Sequence, residues 1–497
     1  MDSLIRRNFE TLFVGGDWIS CPKGKIIDIV NPATEVGIGS AAVGTVEECE
    51  QAIAAARKAF DIGPWRHSSI KQRVTKLSSF LDVLENNSVD IVKLIVSETG
   101  HSYMVSHEVH FKSAIRIVRY QLELCSRDLT ANGNVFITPN PMEGSGDLAN
   151  SSRVIRKPLG VVAAIVPFNA SFMLSLLKII PALAMGNTVI LKASELTPLQ
   201  SLILGDVALN EGFPPGAINI ITGDKSVGEL LSRDSRVDCI SFTGSDSVGA
   251  FVMEQSAPTL KRLVLELGGK SASLVMHDAD IASAAIFGAG MAVTMSGQGC
   301  ALCTRHIVHN SIITEYLDFL RRALWGMPLG NTANPYNLMG PLINAKQLER
   351  VERYVDLAKS EGGSVICGGR RPVYLDQGYF YEPTVIVGLK SDSKVCQEEI
   401  FGPVVVVLGF DNEEEGLRIA NDSAYGLGGA VFTSDRGNAF KLASKIETGQ
   451  VSINPSGIAI DITAPFGGIK RSGFGREWGL EGLNEFSYQQ TTIFPVG

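Results

Sequence analysis

Between residues 160 and 270, short unbroken apolar segments alternate with segments of helical periodicity. The apolar segments read GVVAAIVPF, NTVILKA, AINIITG, VDCISFTGS and RLVLELGGK. A strand without polar alternation is buried on both faces, and a helix after each such strand is typical of a parallel sheet. The alternation therefore predicts an α/β protein with a doubly wound, Rossmann-type domain for a nucleotide cofactor.

The rest of the chain divides into three further regions. Residues 45–126 place apolar residues at three- and four-residue spacing, which predicts helices. Residues 130–153 are rich in Gly, Pro, Asn and Ser and predict a hairpin that leaves the main body. A second α/β pattern begins near residue 271 and continues to about residue 455. Because 497 residues exceed one ordinary domain, we expect two or three domains.

The charge balance and the cysteine distribution narrow the class of function. Lys and Arg total 44 against 52 Asp and Glu, and the net charge of −8 argues against nucleic acid or an anionic membrane surface as a partner. The 8 cysteines are scattered along the chain, so no disulfide framework is predicted. The start, MDSLIRRNFE, lacks the apolar core of a secretory leader, and no apolar run approaches the roughly 18 residues of a membrane span. We expect a cytoplasmic protein whose partners are small molecules or copies of itself.

The turns after the predicted strands carry residues suited to a nucleotide. A carboxylate at Glu195 would accept both hydroxyls of an adenosine ribose and would repel a 2′-phosphate. Ser245, between Gly244 and Gly249, opens a predicted helix whose free N–H groups favour a pyrophosphate. Each of these turns alone is also consistent with an ordinary connection. Their order and spacing make the nucleotide interpretation stronger.

The segment SGQGCALCTR contains Cys300 and Cys303 in C-x-x-C spacing, which is consistent with a zinc half-site, a redox pair or one lone nucleophile. Zinc would need a second close pair of ligands, whereas His306 and His309 lie on the same predicted strand and the other cysteines are isolated. A thioredoxin-like pair would open a helix, but the strand-like TRHIVH follows this one. Both of these interpretations are therefore disfavoured, and no metal is expected.

Six motifs in one order resemble the NAD(P)-dependent aldehyde dehydrogenase superfamily: PFNA, FTGS, LELGGK, GQGC, EEIFGPV and PFGGIKRSGFGRE. The resemblance runs from about Leu12 to Phe486. It implies the aldehyde dehydrogenase fold, with an NAD-binding domain from residues 1–131 and 154–266 and a catalytic domain from residues 267–475. It further implies a small β excursion for oligomerisation, formed by residues 132–153 and 482–497, and hence a homodimer or homotetramer.

The resemblance also implies a mechanism, in which Cys300 is the nucleophile and Cys303 is a buried neighbour without a catalytic duty. The thiolate attacks the aldehyde, and the Asn169 amide with the Cys300 backbone N–H holds the oxyanion of the thiohemiacetal. Hydride transfer to the nicotinamide then leaves a thioester. Glu266 activates the water that hydrolyses this thioester, and Lys178 and Glu477 relay protons to solvent.

The implied cofactor is NAD, preferred over NADP because of Glu195. The positions that match family contacts to it are Val166, Pro167, Phe168, Lys192, Glu195, Gly223, Phe242, Gly244, Ser245, Val248, Leu267, Gly268, Gln347, Glu399 and Phe401. Phe168 departs from the family, which often has Trp there. Phenylalanine still offers a flat apolar wall at this position.

The family's substrate-lining positions are here entirely apolar: Ala170, Met173, Leu174, Leu177, Met291, Met295, Ala301, Ile458, Ile460, Ile462 and Phe466. Without Arg or Lys the site has no partner for a second carboxylate. Without Trp or Tyr at these positions it has no aromatic cage for a quaternary ammonium. The predicted reaction is the NAD-dependent oxidation of an aromatic, terpenoid or medium-chain aldehyde to its acid. The alternatives are a semialdehyde or CoA-acylating dehydrogenase on the same fold, or a non-catalytic binding protein.

Overall fold

A computed structural model describes residues 6–127, 135–139, 149–457 and 460–496 of the chain. Its strands, in chain order, are β1 (Asn8–Phe9), β2 (Thr11–Val14), β3 (Asp17–Ser20), β4 (Lys25–Val30), β5 (Gly37–Val43), β6 (Val135–Pro139), β7 (Ala149–Pro158), β8 (Val161–Ile165), β9 (Thr188–Lys192), β10 (Ile218–Ile221), β11 (Cys239–Thr243), β12 (Arg262–Glu266), β13 (Ser271–Val275), β14 (Cys303–His309), β15 (Ser364–Cys367), β16 (Thr384–Val387), β17 (Val404–Phe410), β18 (Tyr425–Gly426), β19 (Gly428–Phe432), β20 (Gln450–Ile453), β21 (Ile469–Lys470), β22 (Gly473–Phe474) and β23 (Ser487–Val496).

The α-helices, in the same order, are α1 (Val46–Ile62), α2 (Pro64–His67), α3 (Ile70–Asn86), α4 (Ser88–Thr99), α5 (Ala114–Ser126), α6 (Ser171–Ala184), α7 (Leu199–Asn210), α8 (Lys225–Arg233), α9 (Asp246–Ser256), α10 (Ile281–Val293), α11 (Ile313–Trp325), α12 (Ala345–Ser360), α13 (Lys394–Gln397), α14 (Glu413–Asn421), α15 (Arg436–Ala443) and α16 (Gly479–Asn484). A π-helix spans Val105–Ser113, and two 3₁₀ turns span Ala257–Thr259 and Thr294–Gly297. None of the helices that the structure describes is both long enough and apolar enough to cross a membrane.

The first large sheet has eight strands in the order β22-β12-β11-β8-β9-β10-β2-β3. Its five central strands, β12 to β10 in this order, are parallel, and they are the five apolar segments of the sequence. The hairpin β2 and β3 extends one edge antiparallel, and β22 extends the other. The α/β fold class with a doubly wound parallel sheet is therefore confirmed. Strand β22 belongs to the segment assigned by sequence to the second domain, yet it completes this first sheet.

The second large sheet has seven strands in the order β15-β16-β17-β14-β13-β19-β20. Only β15 pairs antiparallel in it. Strands β13 and β17 match the predicted second α/β pattern, and their side chains are buried apart from one position in β17. The connection from β13 to β14 carries Cys300. It contains α10, followed directly by the 3₁₀ turn Thr294–Gly297.

A third, antiparallel sheet joins the chain's end to the predicted excursion, in the order β23-β7-β6. Strand β23 pairs with β7 over the whole length from Ser487 with Pro158 to Val496 with Ala149. The remaining parts of the predicted oligomerisation segments, residues 132–134, 140–148 and 497, lie outside the described residues. Two small sheets, β1-β5-β4 and β18-β21, complete the topology of the described part of the chain.

Candidate active site

A single cavity of about 430 Å³ lies beyond the carboxyl ends of β8, β11 and β12 and is also lined from the second sheet. Open parallel sheets place ligands at this edge. The predicted site residues that line this cavity are Cys300, Glu266, Asn169, Glu477, Pro167, Phe168, Gly244, Ser245, Leu267, Gly268, Gln347, Glu399, Phe401, Ala170, Met173, Leu174, Leu177, Met291, Met295, Ala301, Ile460 and Phe466. The structure thus brings the proposed nucleophile, base, cofactor contacts and substrate contacts to one space.

The other predicted residues lie outside this lining. Lys178 lies directly behind it. Six more residues lie in or after the strands of the first sheet: Val166, Lys192, Glu195, Gly223, Phe242 and, in α9, Val248. Ile462 packs as a half-buried side chain against the core of the first sheet. Ile458 lies outside the described residues, so its predicted substrate contact stays a prediction.

Cys300 follows a turn of unusual backbone geometry. Met295, Ser296 and Gly297 have φ values of 51°, 54° and 72°, a left-handed conformation that costs energy for residues with a side chain. Contacts from distant segments hold the turn. Ser296 Oγ donates to the Gly340 carbonyl at 2.8 Å, and the Gln298 side chain accepts from the Ile343 N–H at 3.1 Å. A strained turn that contacts from other segments hold in place is typical of functional sites.

The two glycines of LELGGK, Gly268 and Gly269, allow the backbone to pack closely next to the cavity. A Cβ on Gly268 would lie 2.6 Å from Glu399 Oε2, and a Cβ on Gly269 would lie 2.3 Å from the Cys300 carbonyl oxygen. Both distances are shorter than a non-bonded contact allows. Glycine at these two positions therefore lets the loop after β12 approach both Cys300 and Glu399.

Asn169 stands next to the reactive turn. Its Nδ2 donates to the Gln298 carbonyl at 2.8 Å, and the residue is buried. This bond fixes the amide with one of its two N–H groups engaged. The second N–H group is a donor suited to the oxygen of a carbonyl attacked by Cys300.

The Cys300 thiol is protonated at neutral pH in this arrangement. Burial raises its pKa to about 12, with the Glu399 and Glu266 carboxylates adding to the rise. The backbone N–H groups of Cys300 and Ala301 act in the opposite direction. Since the thiolate is the nucleophilic form, an attack by Cys300 requires a group that removes its proton.

Glu266 is a nearby group with the properties of a base, and its carboxylate oxygens, unlike Oε1 of Glu399, are not engaged by a backbone N–H among the described residues. It ends β12, is buried, and neither carboxylate oxygen has a hydrogen-bond partner among the described residues. Burial, followed by the charge of Glu477, raises the pKa of Glu266 well above its usual range. Gly467 provides the room, because a Cβ there would lie 2.7 Å from Glu266 Oε1. A desolvated carboxyl of raised pKa is suited to proton transfer near neutral pH.

A buried ion pair lies behind Glu266. Lys178 Nζ donates to Glu477 Oε1 at 2.5 Å and to Ser241 Oγ at 3.0 Å. Glu477 also exchanges two backbone hydrogen bonds with Phe466, at 2.7 and 2.8 Å. The pair places a fixed carboxylate at the cavity wall, in the electrostatic reach of Glu266.

The Glu399 and Phe401 segment is held from α12. Gln347 Nε2 donates to the Ile400 carbonyl at 3.1 Å and the Phe401 carbonyl at 2.6 Å, and Arg350 donates to the Glu399 carbonyl at 2.5 Å. The Glu399 carboxylate accepts from the Gly269 N–H at 3.1 Å, and burial raises its pKa to about 7. Arg350 is a lining residue that the sequence prediction did not include.

The predicted nucleotide turns show the expected local geometry. The Ser245 side chain accepts from the Val248 N–H at 3.4 Å and caps α9. Gly249 allows α9 to approach the loop after β12, since a Cβ there would lie 2.6 Å from the Leu267 side chain. Glu195 is half-buried in the turn after β9, and burial lowers the pKa of neighbouring Lys192 while the Glu195 charge opposes that shift.

Several lining residues were missing from the sequence prediction. Val109 and His110 lie on the π-helix, Phe287 lies on α10, and Trp478 directly precedes α16. Trp478 stacks on Phe466 with ring centroids 4.6 Å apart. The predicted substrate positions include no Trp, and the structure adds the Trp478 indole to the lining of the cavity, next to Glu477, whose backbone pairs with Phe466. The polar side chains of Gln450 and Ser452 also line it, so the expected all-apolar lining is incomplete.

The two cysteines of the C-x-x-C segment both line the cavity, but they differ in exposure and in the element that carries them. Cys303 is buried at the start of β14, whereas Cys300 is half-buried in the turn. His306 has both ring nitrogens engaged, Nε2 with the Cys303 carbonyl at 3.1 Å and Nδ1 with the Tyr316 hydroxyl at 2.9 Å. This histidine is therefore not free to complete a zinc site with the cysteine pair.

Comparison with known proteins agrees with this geometry. Geranial dehydrogenase of Castellaniella defragrans is 36% identical over 478 residues, which are 96% of this chain and 97% of that protein. An aldehyde dehydrogenase of Mycobacterium tuberculosis, solved with NAD⁺, matches with a TM-score of 0.93 at 35% identity, with 99% of each chain covered. A betaine aldehyde dehydrogenase of Staphylococcus aureus, also solved with NAD⁺, matches with a TM-score of 0.93 at 34% identity, covering 99% of this chain and 95% of that one. The model of the aldehyde dehydrogenase family matches residues 18–492. The chain therefore belongs to the aldehyde dehydrogenase family.

Proposed function

We propose that this protein oxidises an apolar aldehyde to its carboxylic acid with NAD, using Cys300 as the nucleophile. One observation carries the proposal: a single cavity contains Cys300, Asn169 and Glu266 together with a mainly aliphatic and aromatic wall. The name of geranial dehydrogenase, whose substrate is a terpenoid aldehyde, supports the apolar class.

In the proposed first half-reaction, Glu266 accepts the proton of the Cys300 thiol and the sulfur bonds to the carbonyl carbon. The free N–H of Asn169 and the Cys300 backbone N–H donate to the resulting oxyanion. The thiohemiacetal collapses to a thioester when its hydrogen leaves as hydride, for which NAD, when bound, would be the acceptor. Glu266 gives up the first proton, that of the thiol, before the second half-reaction, and the Glu477 carboxylate, paired with Lys178 behind Glu266, would pass it on. In the second half-reaction Glu266 accepts a proton from water while the water oxygen bonds to the thioester carbon. The C–S bond then breaks, the acid leaves, and the Cys300 sulfur takes the proton from Glu266 to become a thiol again.

The residues around the cavity fit a dinucleotide cofactor. At Gly268 the loop after β12 lies too close to Glu399 for a Cβ to fit. This close approach holds the Glu399 carboxylate beside the backbone, where it would bind a ribose. Ser245 caps the helix whose N-terminus would face a pyrophosphate, and Glu195 ends the turn where an adenosine ribose would lie. NAD would supply the hydride acceptor. Phe168 and Phe401, whose rings meet edge to face at 5.8 Å, would offer apolar surface to the nicotinamide.

The test is an aldehyde panel followed by absorbance of the reduced cofactor. We expect the highest kcat/KM for aromatic, terpenoid or medium-chain aldehydes with NAD, and lower values with NADP. Semialdehyde acids and betaine aldehyde complete the panel. Betaine aldehyde is included because Trp478 and Phe466 give the cavity aromatic surface. Saturation by semialdehyde acids alone, or by betaine aldehyde alone, would overturn the apolar assignment.

A CoA-acylating reaction is the alternative on the same fold. Such an enzyme releases the acyl group to a thiol instead of water, and it does not need a buried base at Glu266. Analysis of the product with and without CoA separates the two. We expect free acid in both cases.

The proposal includes a homodimer or homotetramer built on the sheet β23-β7-β6. Its outer strand β23 exposes apolar side chains, Tyr488, Ile493 and Phe494. Exposed apolar residues on an edge strand are a surface that another chain covers.

A further inference from the structure

One imidazole, that of His110, stands in a wall of the cavity that is otherwise largely apolar. His110 lies on the π-helix and is 1% exposed, and Val109, Phe287 and Met291 line the same cavity. No step of the proposed reaction uses it. A π-helix in a chain is frequently associated with a functional site.

The hydrogen-bonding capacity of this imidazole is almost unused. Its Nδ1 has no partner among the described residues. Its Nε2 lies 3.2 Å from Met295 Sδ, and a thioether is only a weak acceptor. The ring packs edge to face on His101 at 5.0 Å, and burial lowers the pKa of both imidazoles, so His110 is neutral at pH 7. A neutral imidazole offers one donor and one acceptor, and leaving them unpaired in the interior is costly.

Met295 connects this imidazole to the reactive turn. Its Sδ contacts His110, while its Cε lies 2.6 Å from where a Cβ of Gly299 would be, and Gly299 precedes Cys300. The Met295 side chain therefore connects the His110 nitrogen to the residue that precedes the proposed nucleophile. Methionine has three rotatable bonds and adapts readily, so it can leave Nε2 without a change of backbone.

We propose that His110 is a specificity residue that selects, among apolar aldehydes, those with a hydroxyl group on the hydrocarbon body. The hydroxyl would take the place of the Met295 sulfur at His110 Nε2 while the carbonyl carbon reaches Cys300. A hydroxyl both donates and accepts, so it pairs with either tautomer of the ring. This inference rests on the proposed function, because it concerns the aldehyde that the same cavity binds.

The test compares matched substrates that differ by one group: 3- and 4-hydroxybenzaldehyde against 3- and 4-methylbenzaldehyde. The measured quantity is the hydroxyl-to-methyl ratio of kcat/KM within each variant. Loss of folded or active protein lowers both values alike and leaves the ratio unchanged. We expect His110→Phe to lower the ratio for at least one ring position by about three- to tenfold, the range of one neutral hydrogen bond.

Two variants complete the design. His110→Asn keeps a donor and an acceptor, and we expect it to retain more of the ratio than His110→Phe. His107→Phe makes the same exchange on the π-helix at a partly exposed histidine outside the cavity lining, and we expect the wild-type ratio. An unchanged ratio at both ring positions in His110→Phe, or an equal fall in His107→Phe, overturns the inference while the aldehyde oxidation itself stands. Absence of turnover with all four aldehydes in the wild type overturns the proposed function for aromatic substrates, and this inference with it.

Discussion

Cys300 and Cys303 are three residues apart and both line the cavity, yet only Cys300 lies in the segment that directly follows the left-handed turn. Cys303 begins β14 and is buried. We expect Cys300 to act as the nucleophile and Cys303 to have no catalytic duty.

Replacement of Cys300 by Ala is expected to lower turnover by about a thousandfold or more, because it removes the proposed nucleophile. Steady-state formation of the reduced cofactor is the measurement. Cys303→Ala is the matched control and should keep turnover within about tenfold of wild type, since it loses only buried volume. The reverse result would contradict the assignment of the nucleophile.

Glu266→Gln is expected to slow both the burst of reduced cofactor and steady-state turnover, the latter by about 10²- to 10⁴-fold. Glutamine accepts a proton neither from the Cys300 thiol nor from the hydrolytic water, so both half-reactions should be slowed. Rapid mixing measures the burst, and mass spectrometry detects the acylated protein. Glu254→Gln, on the exposed side of α9, is the control. Full steady-state turnover in Glu266→Gln would rule out this residue as the base.

The pH dependence of hydrolysis follows from the same carboxyl. The pKa of Glu266 is raised well above its usual range, so the group is protonated at mildly acidic pH and must lose its proton to act. The hydrolysis rate should therefore rise with increasing pH through this pKa. We expect the rise in wild type and its absence in Glu266→Gln. A wild-type rate that falls as pH rises from 5 to 8 would contradict the sign.

At the level of secondary-structure elements, the loop after β12 packs closely against two residues of the proposed site, Cys300 and Glu399. Gly269→Ala is expected to destabilise the protein by about 1–3 kcal/mol and to lower activity, because its Cβ would lie 2.3 Å from the Cys300 carbonyl oxygen. Gly290→Ala in α10 is the control: no atom lies within 4 Å of its Cβ position, and Ala should stabilise the helix by about 1 kcal/mol. Thermal unfolding measures both. A raised Tm for Gly269→Ala would contradict the clearance argument.

The central strands could be predicted from sequence because burial on both faces leaves an unbroken apolar segment. The hairpin β2 and β3 could not, since TLFV and DWIS are four residues each and DWIS is partly exposed at the edge of the sheet. The strand β23 was anticipated by the β-branched residues of QQTTIF, although its pairing with β7 rests on contacts across more than 300 positions.

Site residues that belong to a sequence motif could be predicted from the sequence. Residues that only the fold brings to the cavity were harder to predict. Cys300, Asn169 and Glu266 stand in recognisable motifs. Val109 and His110 do not, because a π-helix does not follow the α-helical spacing used to assign buried faces. Trp478 has a φ of 61°, a conformation that an aromatic residue rarely adopts and that no local pattern predicts.

At the scale of the whole molecule, the third sheet predicts how copies associate. Ile493 is 67% exposed on β23, and we expect the wild type to sediment as a dimer or tetramer. Ile493→Lys should shift the distribution toward smaller species, because a charge would replace the apolar surface. Ile62→Lys, at a residue 75% exposed at the end of α1, is the control and should sediment as wild type. A monomeric wild type at working concentration would contradict the proposed assembly.

The turn before Cys300 also bears on the order of events during synthesis. It depends on the Gly340 carbonyl, the Ile343 N–H and the close approach of Gly402, which lie 44, 45 and 105 residues after the turn residues they meet. A ribosome-bound chain that has not yet reached Gly402 therefore cannot hold this turn. Until then Cys300 is an ordinary thiol in an unfinished chain, and its placement in the cavity with Asn169 and Glu266 arises only after the chain has been made beyond Gly402.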